Sequence, residues 1–190
     1  ALVALEMKLS GNYITPTLHG EFYYKKPPLF NWILILFFNV FGRVDEFIAR
    51  LPTVFAIFGY GFTIYYFVRK HMSRNQALFA AFLFITCGRM IFYDSILALI
   101  DIIFSWCMFT LFMVTYHLFE KEKYLQLFLI TYLLTAIGFL FKGLPAIVFQ
   151  GITLLTYFTY RRQFWKLFSW QHISGGLIFI LVVGAYYLAY

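Results

Sequence analysis

Charge is scarce in this sequence. Only 12% of its 190 residues are Asp, Glu, Lys or Arg, and just eight are acidic. A soluble domain carries about 25% charged residues, so the shortage excludes that class. Cysteine is nearly absent too. Cys87 and Cys107 both lie inside apolar runs, which excludes a disulfide framework and any cysteine-based metal spacing. There is no low-complexity segment, no short-period repeat and no visible signal peptide. The chain opens mid-pattern on Ala1-Leu2-Val3-Ala4-Leu5 and stops in an apolar run at Tyr190. It therefore reads as a piece of a longer protein.

What is present is apolar. Hydrophobic residues make up 63% and aromatics 24%, with a mean hydropathy of +0.79. The expectation is an all-α polytopic membrane protein. A net charge of +7 would point to nucleic acid in a soluble chain. Here topology bias and contact with anionic headgroups or phosphates explain it, and no nucleic-acid partner is expected.

Residues 1–9 read as a short amphipathic helix, too short to span. Residues 11–24 hold Gly, Pro and polar types and read as a loop, and 27–42 as a short apolar helix. Six longer segments follow, near 47–69, 75–92, 97–118, 124–141, 144–160 and 173–190. Each approaches the ~20 residues that cross about 30 Å of hydrocarbon. This divides the chain into a first outer loop, 1–46, and a transmembrane bundle of about six helices, 47–190.

The basic clusters at Arg69–Arg74, Lys121/Lys123 and Arg161–Lys166 fall at every second loop. One side of the membrane holds them all, and the positive-inside rule makes it cytoplasmic. The side of Lys25-Lys26 depends on whether 27–42 spans. Sixteen residues rise only about 24 Å, and Asn31, Trp32 and Asn39 prefer an interface. A helix lying in the outer interface is expected. Lys25 and Lys26 then share the outer face with Asp94, Asp101 and Lys142.

Lys26 precedes Pro27, so its backbone should be extended. Proline suits a first helical turn. A cation beside the free N–H groups of a helix start makes a phosphate site; the plainer reading is two lysines snorkelling at the interface. Lys142 stands three residues before Pro145 and repeats the arrangement at the start of another apolar helix. It, too, reads either as an anchor or as a phosphate ligand.

Asp94 and Asp101 are the only acids between Glu46 and Glu120. A carboxylate at membrane depth is costly and points to function. Their spacing puts them on one face, about 10 Å apart, if they share a helix. Asp94 is alternatively an outer-loop residue or the partner of Arg89, and Asp101 one half of a structural ion pair. Of the histidines, only His19 sits in the outer loop.

The order of these features resembles the polytopic GT-C glycosyltransferases, on the branch of the aminoarabinose lipid A transferases and protein O-mannosyltransferases. The matching elements are Glu6-Met7, Gly11 to Pro16 as Gly-x-Tyr-x-x-Pro, and Lys26-Pro27-Pro28-Leu29-Phe30-Asn31-Trp32. After them come Phe41-Gly42, Ala49-Arg50-Leu51-Pro52, Asp101 and Lys142-Gly143-Leu144-Pro145. The resemblance implies a GT-C helix bundle whose first outer loop carries interfacial helices. It implies transfer of a sugar from a polyprenyl-phosphate donor to a lipid, protein or glycan acceptor at the outer face of a multi-pass, bacterial inner-membrane enzyme.

On that reading Lys26, Lys142 and Lys25 hold the donor phosphate. Asp101 serves the catalytic step, and Asp94, Tyr24 and Arg89 are candidate substrate contacts. The general-base Asp of the family's Asp-Glu pair would lie before Ala1, so this piece alone would be inactive. Many relatives have an acid where Lys25 stands, so no metal is assigned there, and no cofactor beyond the lipid-linked donor. A transporter or lipid flippase would also bury charge, but it should show inverted repeats and broken helices at mid-membrane. A purely structural subunit would leave Asp101 unexplained.

Overall fold

The structure, a computed structural model, describes residues 1–190. It is helical except for one small hairpin. The order is α1 (Leu2–Ser10), β1 (Thr17–Leu18), β2 (Glu21–Phe22), α2 (Leu29–Phe41), α3 (Glu46–Arg69), α4 (Arg74–Thr86), a π-helical turn (Met90–Asp94), α5 (Asp101–Glu120), α6 (Tyr124–Lys142), α7 (Pro145–Tyr160), a 3-10 turn (Phe164–Phe168) and α8 (Trp170–Ala189). The six long segments expected after residue 46 are α3 to α8. Four of them, α3, α5, α6 and α8, are long and apolar enough to cross a membrane. α4 and α7 are shorter, with 13 and 16 residues. Large apolar side chains such as Phe62, Phe82, Ile180 and Leu188 are exposed, as the surface of a hydrocarbon-embedded bundle requires. This is an all-α integral membrane fold.

The chain forms two compact units. The first comprises Ala1–Glu21 and Phe30–Trp106. Its N-terminal helix buries Ala4 and Met7 and ends at Gly11, whose positive φ of 71° glycine adopts without strain. The Glu6 carboxylate accepts from the His19 N–H at 2.7 Å, tying α1 to the hairpin turn. That backbone donor holds the Glu6 carboxyl below its ordinary pKa. Trp32 Nε1 donates to the Tyr13 carbonyl at 2.6 Å, fastening α2 to the loop. The N-terminus of α3 is capped by Asp45, which accepts from Ile48 N–H at 2.8 Å. Ser73 and Gln76 form a reciprocal capping box on α4. Gly59 and Gly61 on α3 let Trp106 and Ile85 approach closely.

Several expectations change here. Residues 75–92 are not one helix: α4 stops at Thr86, Cys87 turns extended with ψ 143°, and Gly88 follows. The π turn then holds Ser95 N–H on the Met90 carbonyl at 2.9 Å. The helix expected from 97 starts at Asp101. Asp94 and Asp101 therefore occupy separate elements rather than one helical face. The loop at 11–24 also contains the two-stranded hairpin, whose turn places His19 and Gly20 at positive φ.

The second unit comprises Phe22–Leu29 and Cys107–Tyr190. Phe119, Tyr124, Leu127, Phe128, Leu154 and Phe158 form a buried core at one end. Cys107 Sγ donates to the Leu134 carbonyl at 3.3 Å. α6 and α8 run parallel. Phe128 and Tyr132 meet His172, and further along Phe139 meets Phe179 and Tyr187.

These two helices approach closely at Gly175. A Cβ there would lie 2.5 Å from the Tyr132 ring and 2.9 Å from the Phe128 carbonyl oxygen. A small residue at such a crossing lets backbones meet. Gly175→Ala should therefore push α8 away and cost roughly 1–3 kcal/mol, as overpacking does. Neighbouring Gly176 has nothing within 4 Å, so Gly176→Ala should be neutral or stabilising by up to about 1 kcal/mol. Thermal unfolding of the full-length protein in detergent checks the contrast. Equal effects at the two positions would refute the close-packing account.

Candidate functional site

The lysines expected to share a face lie in the second unit. Lys142 is half-buried and closes α6. It ends that helix rather than opening α7, because Gly143 (φ 77°) turns the chain between them, its N–H on the Phe139 carbonyl at 2.7 Å. Three residues beyond Lys142, Pro145 opens α7, where a missing N–H costs nothing. The parallel course of α6 and α8 brings Tyr186, Tyr187 and Tyr190 to the end where α6 finishes. Tyr187 touches Phe139, three residues before Lys142, with ring centroids 6.4 Å apart. Tyr190 in turn meets Tyr24 edge-on at 6.1 Å. Lys25 and Lys26 follow Tyr24 directly, and both are exposed. The chain of contacts from Phe139 through Tyr187 and Tyr190 to Tyr24 carries Lys25, Lys26 and Lys142 to one end of this unit.

The helix after Lys26 starts later than expected. Lys25, Lys26 and Pro28 lie in bends with Pro27 irregular between them, and α2 begins at Leu29. Each proline bars its predecessor from helical backbone, so Lys26 and Pro27 are both held out of the helix. Lys26 thus stands three residues before the first helical turn.

The acidic candidates and Arg89 belong to the first unit. Asp94 is buried, with its side chain 3% exposed. It accepts from Arg89 Nε at 3.2 Å, while Arg89 itself is 72% exposed. Asp101 is half-buried as the first residue of α5, where a carboxylate favours the positive end of the helix dipole. Of the two acids, Asp94 is the more deeply buried. Tyr24 is exposed beside the lysines. The His19 backbone N–H serves Glu6.

One feature of the first unit had only partial sequence signals. A cavity of about 400 Å³ is walled by Leu2, Leu5, Phe38 and Leu97 and edged by Glu46 and Arg50. Glu46 and Arg50 pair at 2.8 Å. Their i, i+4 spacing was readable as a helical ion pair, but the cavity wall depends on how α1 and the 95–98 loop approach α3.

Comparison with known proteins agrees with this architecture. A protein from Aquifex aeolicus (strain VF5), itself uncharacterized, is 38% identical over 80 residues, which is 42% of this chain and 19% of that protein. The undecaprenyl phosphate-alpha-4-amino-4-deoxy-L-arabinose arabinosyl transferase of Shewanella sediminis (strain HAW-EB3) is 24% identical over 172 residues. That alignment covers 90% of this chain and 31% of the relative. Two crystal structures of ArnT from Cupriavidus metallidurans share the fold. The apo form superposes with a TM-score of 0.76 at 16% identity. The form bound to undecaprenyl phosphate gives 0.79 at 18%. Each comparison covers 99% of this chain and 35% of that protein. The chain thus spans about a third of the length of these longer relatives. The family model for dolichyl-phosphate-mannose-protein mannosyltransferases matches residues 25–187, most of the chain, and the chain belongs to that family.

Proposed function

We propose that this chain is part of a membrane glycosyltransferase that moves a sugar from a polyprenyl-phosphate donor to an acceptor at the outer face of a bacterial inner membrane. The observation that carries the reading is the chain of ring contacts Phe139–Tyr187–Tyr190–Tyr24, which links the segment holding Lys25 and Lys26 to the end of α6, where Lys142 stands. A lipid phosphate leaving a sugar develops negative charge, and fixed cations aimed at it lower the barrier. In the reaction the anomeric carbon–phosphate oxygen bond breaks and the acceptor's oxygen or nitrogen bonds to that carbon with inversion. The acceptor's proton passes to a carboxylate base, which the family resemblance puts before Ala1.

Lys26 and Lys142 hold the phosphate, with Lys25 at its edge and Tyr24 as a surface for the sugar or lipid. Asp101 keeps, as part of the proposal, the role of orienting the sugar or tuning the base. The deep pairing of Asp94 with Arg89 favours a structural role for both over substrate contact. Family membership supports a transferase over a transporter or flippase, and a solved relative holding undecaprenyl phosphate supports the choice of donor.

The test is a transfer assay with the full-length protein in vesicles and a radiolabelled polyprenyl-phosphate sugar. The expected result is release of polyprenyl phosphate with the label on an acceptor. Transbilayer movement of intact donor, without release, would instead establish a flippase.

A further inference from the structure

The opposite end of the second unit carries a different feature. Between α5 and α7 runs an open groove of about 530 Å³, lined by Phe112, Ile152, Thr153, Thr156, Tyr157 and Tyr160. Its walls are almost entirely apolar, and the Thr153 hydroxyl is spent on the Phe149 carbonyl at 2.6 Å. The groove runs down to the α5–α6 and α7–α8 connections, which are locked together. Tyr124 donates to Gln163 Oε1 at 2.8 Å, and Arg161 pairs with Glu120 at 2.8 Å. Tyr157 also donates to Glu120, at 2.9 Å, and the Lys166 ammonium lies 3.3 Å from the Tyr124 ring centre.

The charge at this end is lopsided. Lys121, Lys123, Arg161, Arg162 and Lys166 stand against Glu120 and Glu122, five cations to two carboxylates and a net of +3. No acidic residue follows Glu122. Arg162 is exposed and occupies left-handed backbone, φ 54°, at the end of α7, a place usually taken by Gly or Asn. Tyr160, Trp165 and Trp170 are exposed at the same level. Exposed aromatic rings of this kind mark the headgroup depth of a bilayer. An apolar groove thus opens at headgroup level beside the exposed Arg162 and a net positive charge, on the side the positive-inside rule makes cytoplasmic.

We propose that this groove seats an acyl chain of an anionic phospholipid of the cytoplasmic leaflet, with its phosphate held by Arg162 and the outer edge of Arg161. Basic pockets between membrane helices on this side suit such headgroups. A zwitterionic lipid would bring a cation of its own against the net positive charge. A neutral protein helix laid in the groove would leave that charge unanswered.

The test is native mass spectrometry of the full-length protein in detergent, titrated with phosphatidylglycerol or with phosphatidylcholine of the same chains. Glycerol 3-phosphate serves as the headgroup without chains. Phosphatidylglycerol should bind more tightly than phosphatidylcholine, and glycerol 3-phosphate should not displace it. Arg162→Ala should cut the preference for phosphatidylglycerol about fivefold, the effect of one cation near the surface. Thr156→Trp, at an exposed position, fills the groove without changing charge and should abolish the tight site for both lipids. Ile152→Trp tests the same space from the other end should the first variant fold poorly. Arg162→Ala acting while neither tryptophan does would mean diffuse attraction to a charged surface and overturn the proposal. So would full phosphatidylglycerol selectivity in Arg162→Ala. Tryptophan variants that leave lipid binding intact because protein fills the groove would overturn it as well.

Discussion

Lys26→Ala in the full-length protein should weaken binding of a polyprenyl-phosphate sugar by about ten- to two-hundredfold. The change removes one charge-assisted contact, worth roughly 1.5–3 kcal/mol, and about 1.4 kcal/mol is tenfold. Lys142→Ala should fall in the same range, since Lys142 lies at the same end of its unit and is less exposed than Lys26. Lys25→Ala should cost less, because Lys25 stands one residue further from Pro27 and the start of α2. Lys26→Arg keeps the charge but replaces a compact ammonium with a planar fork, so it should restore part of the loss. The measurement is equilibrium binding in detergent, repeated with the same lipid lacking its phosphate. If Lys26 touches phosphate, the substitution and the removal of phosphate delete one contact, and their losses will not add. Simple additivity would make Lys26 an anchor at the lipid surface and remove the central support for the phosphate reading.

That test rests on residues whose roles were unevenly legible in the sequence. The helices α3, α6 and α8 could be bounded closely because polar punctuation and apolar length are local properties. The interruption after Thr86 was not legible. Cys87 and Gly88 sit in an apolar run that continues without a charge to Arg89, and a π turn has no hydrophobic period to reveal it. The same gap hid the separation of Asp94 from Asp101. A spacing of seven signals one face only where the intervening backbone stays helical, and residues 95–100 do not. Lys142 was recognisable as a cation between two apolar segments. Its position at the end of α6 follows from the positive φ of Gly143, for which a lone glycine between helices is an ambiguous signal. The grouping of Lys26 with Lys142 depends on Tyr24 meeting Tyr190, a contact between residues 166 positions apart that no local pattern contains.

The buried Asp94 makes the last expectation unsymmetrical. Arg89→Ala should destabilise the full-length protein by roughly 3 kcal/mol, the low end of the range for breaking a buried pair. The low end applies because the Arg89 side chain is 72% exposed whereas Asp94 is 3% exposed. Removing the guanidinium strands a carboxylate among packed side chains, and its solvation cost is then uncompensated. Asp94→Asn instead removes the charge and keeps an oxygen that can accept from Arg89 Nε. Its cost should be near 1 kcal/mol, about that of weakening one hydrogen bond. The double variant Arg89→Ala/Asp94→Asn leaves no buried charge and should recover most of the stability lost in Arg89→Ala alone. Thermal unfolding in one detergent at one pH, on all four proteins of the cycle, measures the coupling. A double variant no more stable than Arg89→Ala would show that Arg89 acts through something other than the charge of Asp94. If Asp94→Asn stays folded and yet loses transfer activity, Asp94 has a part in the reaction, and the structural role assigned to it here fails.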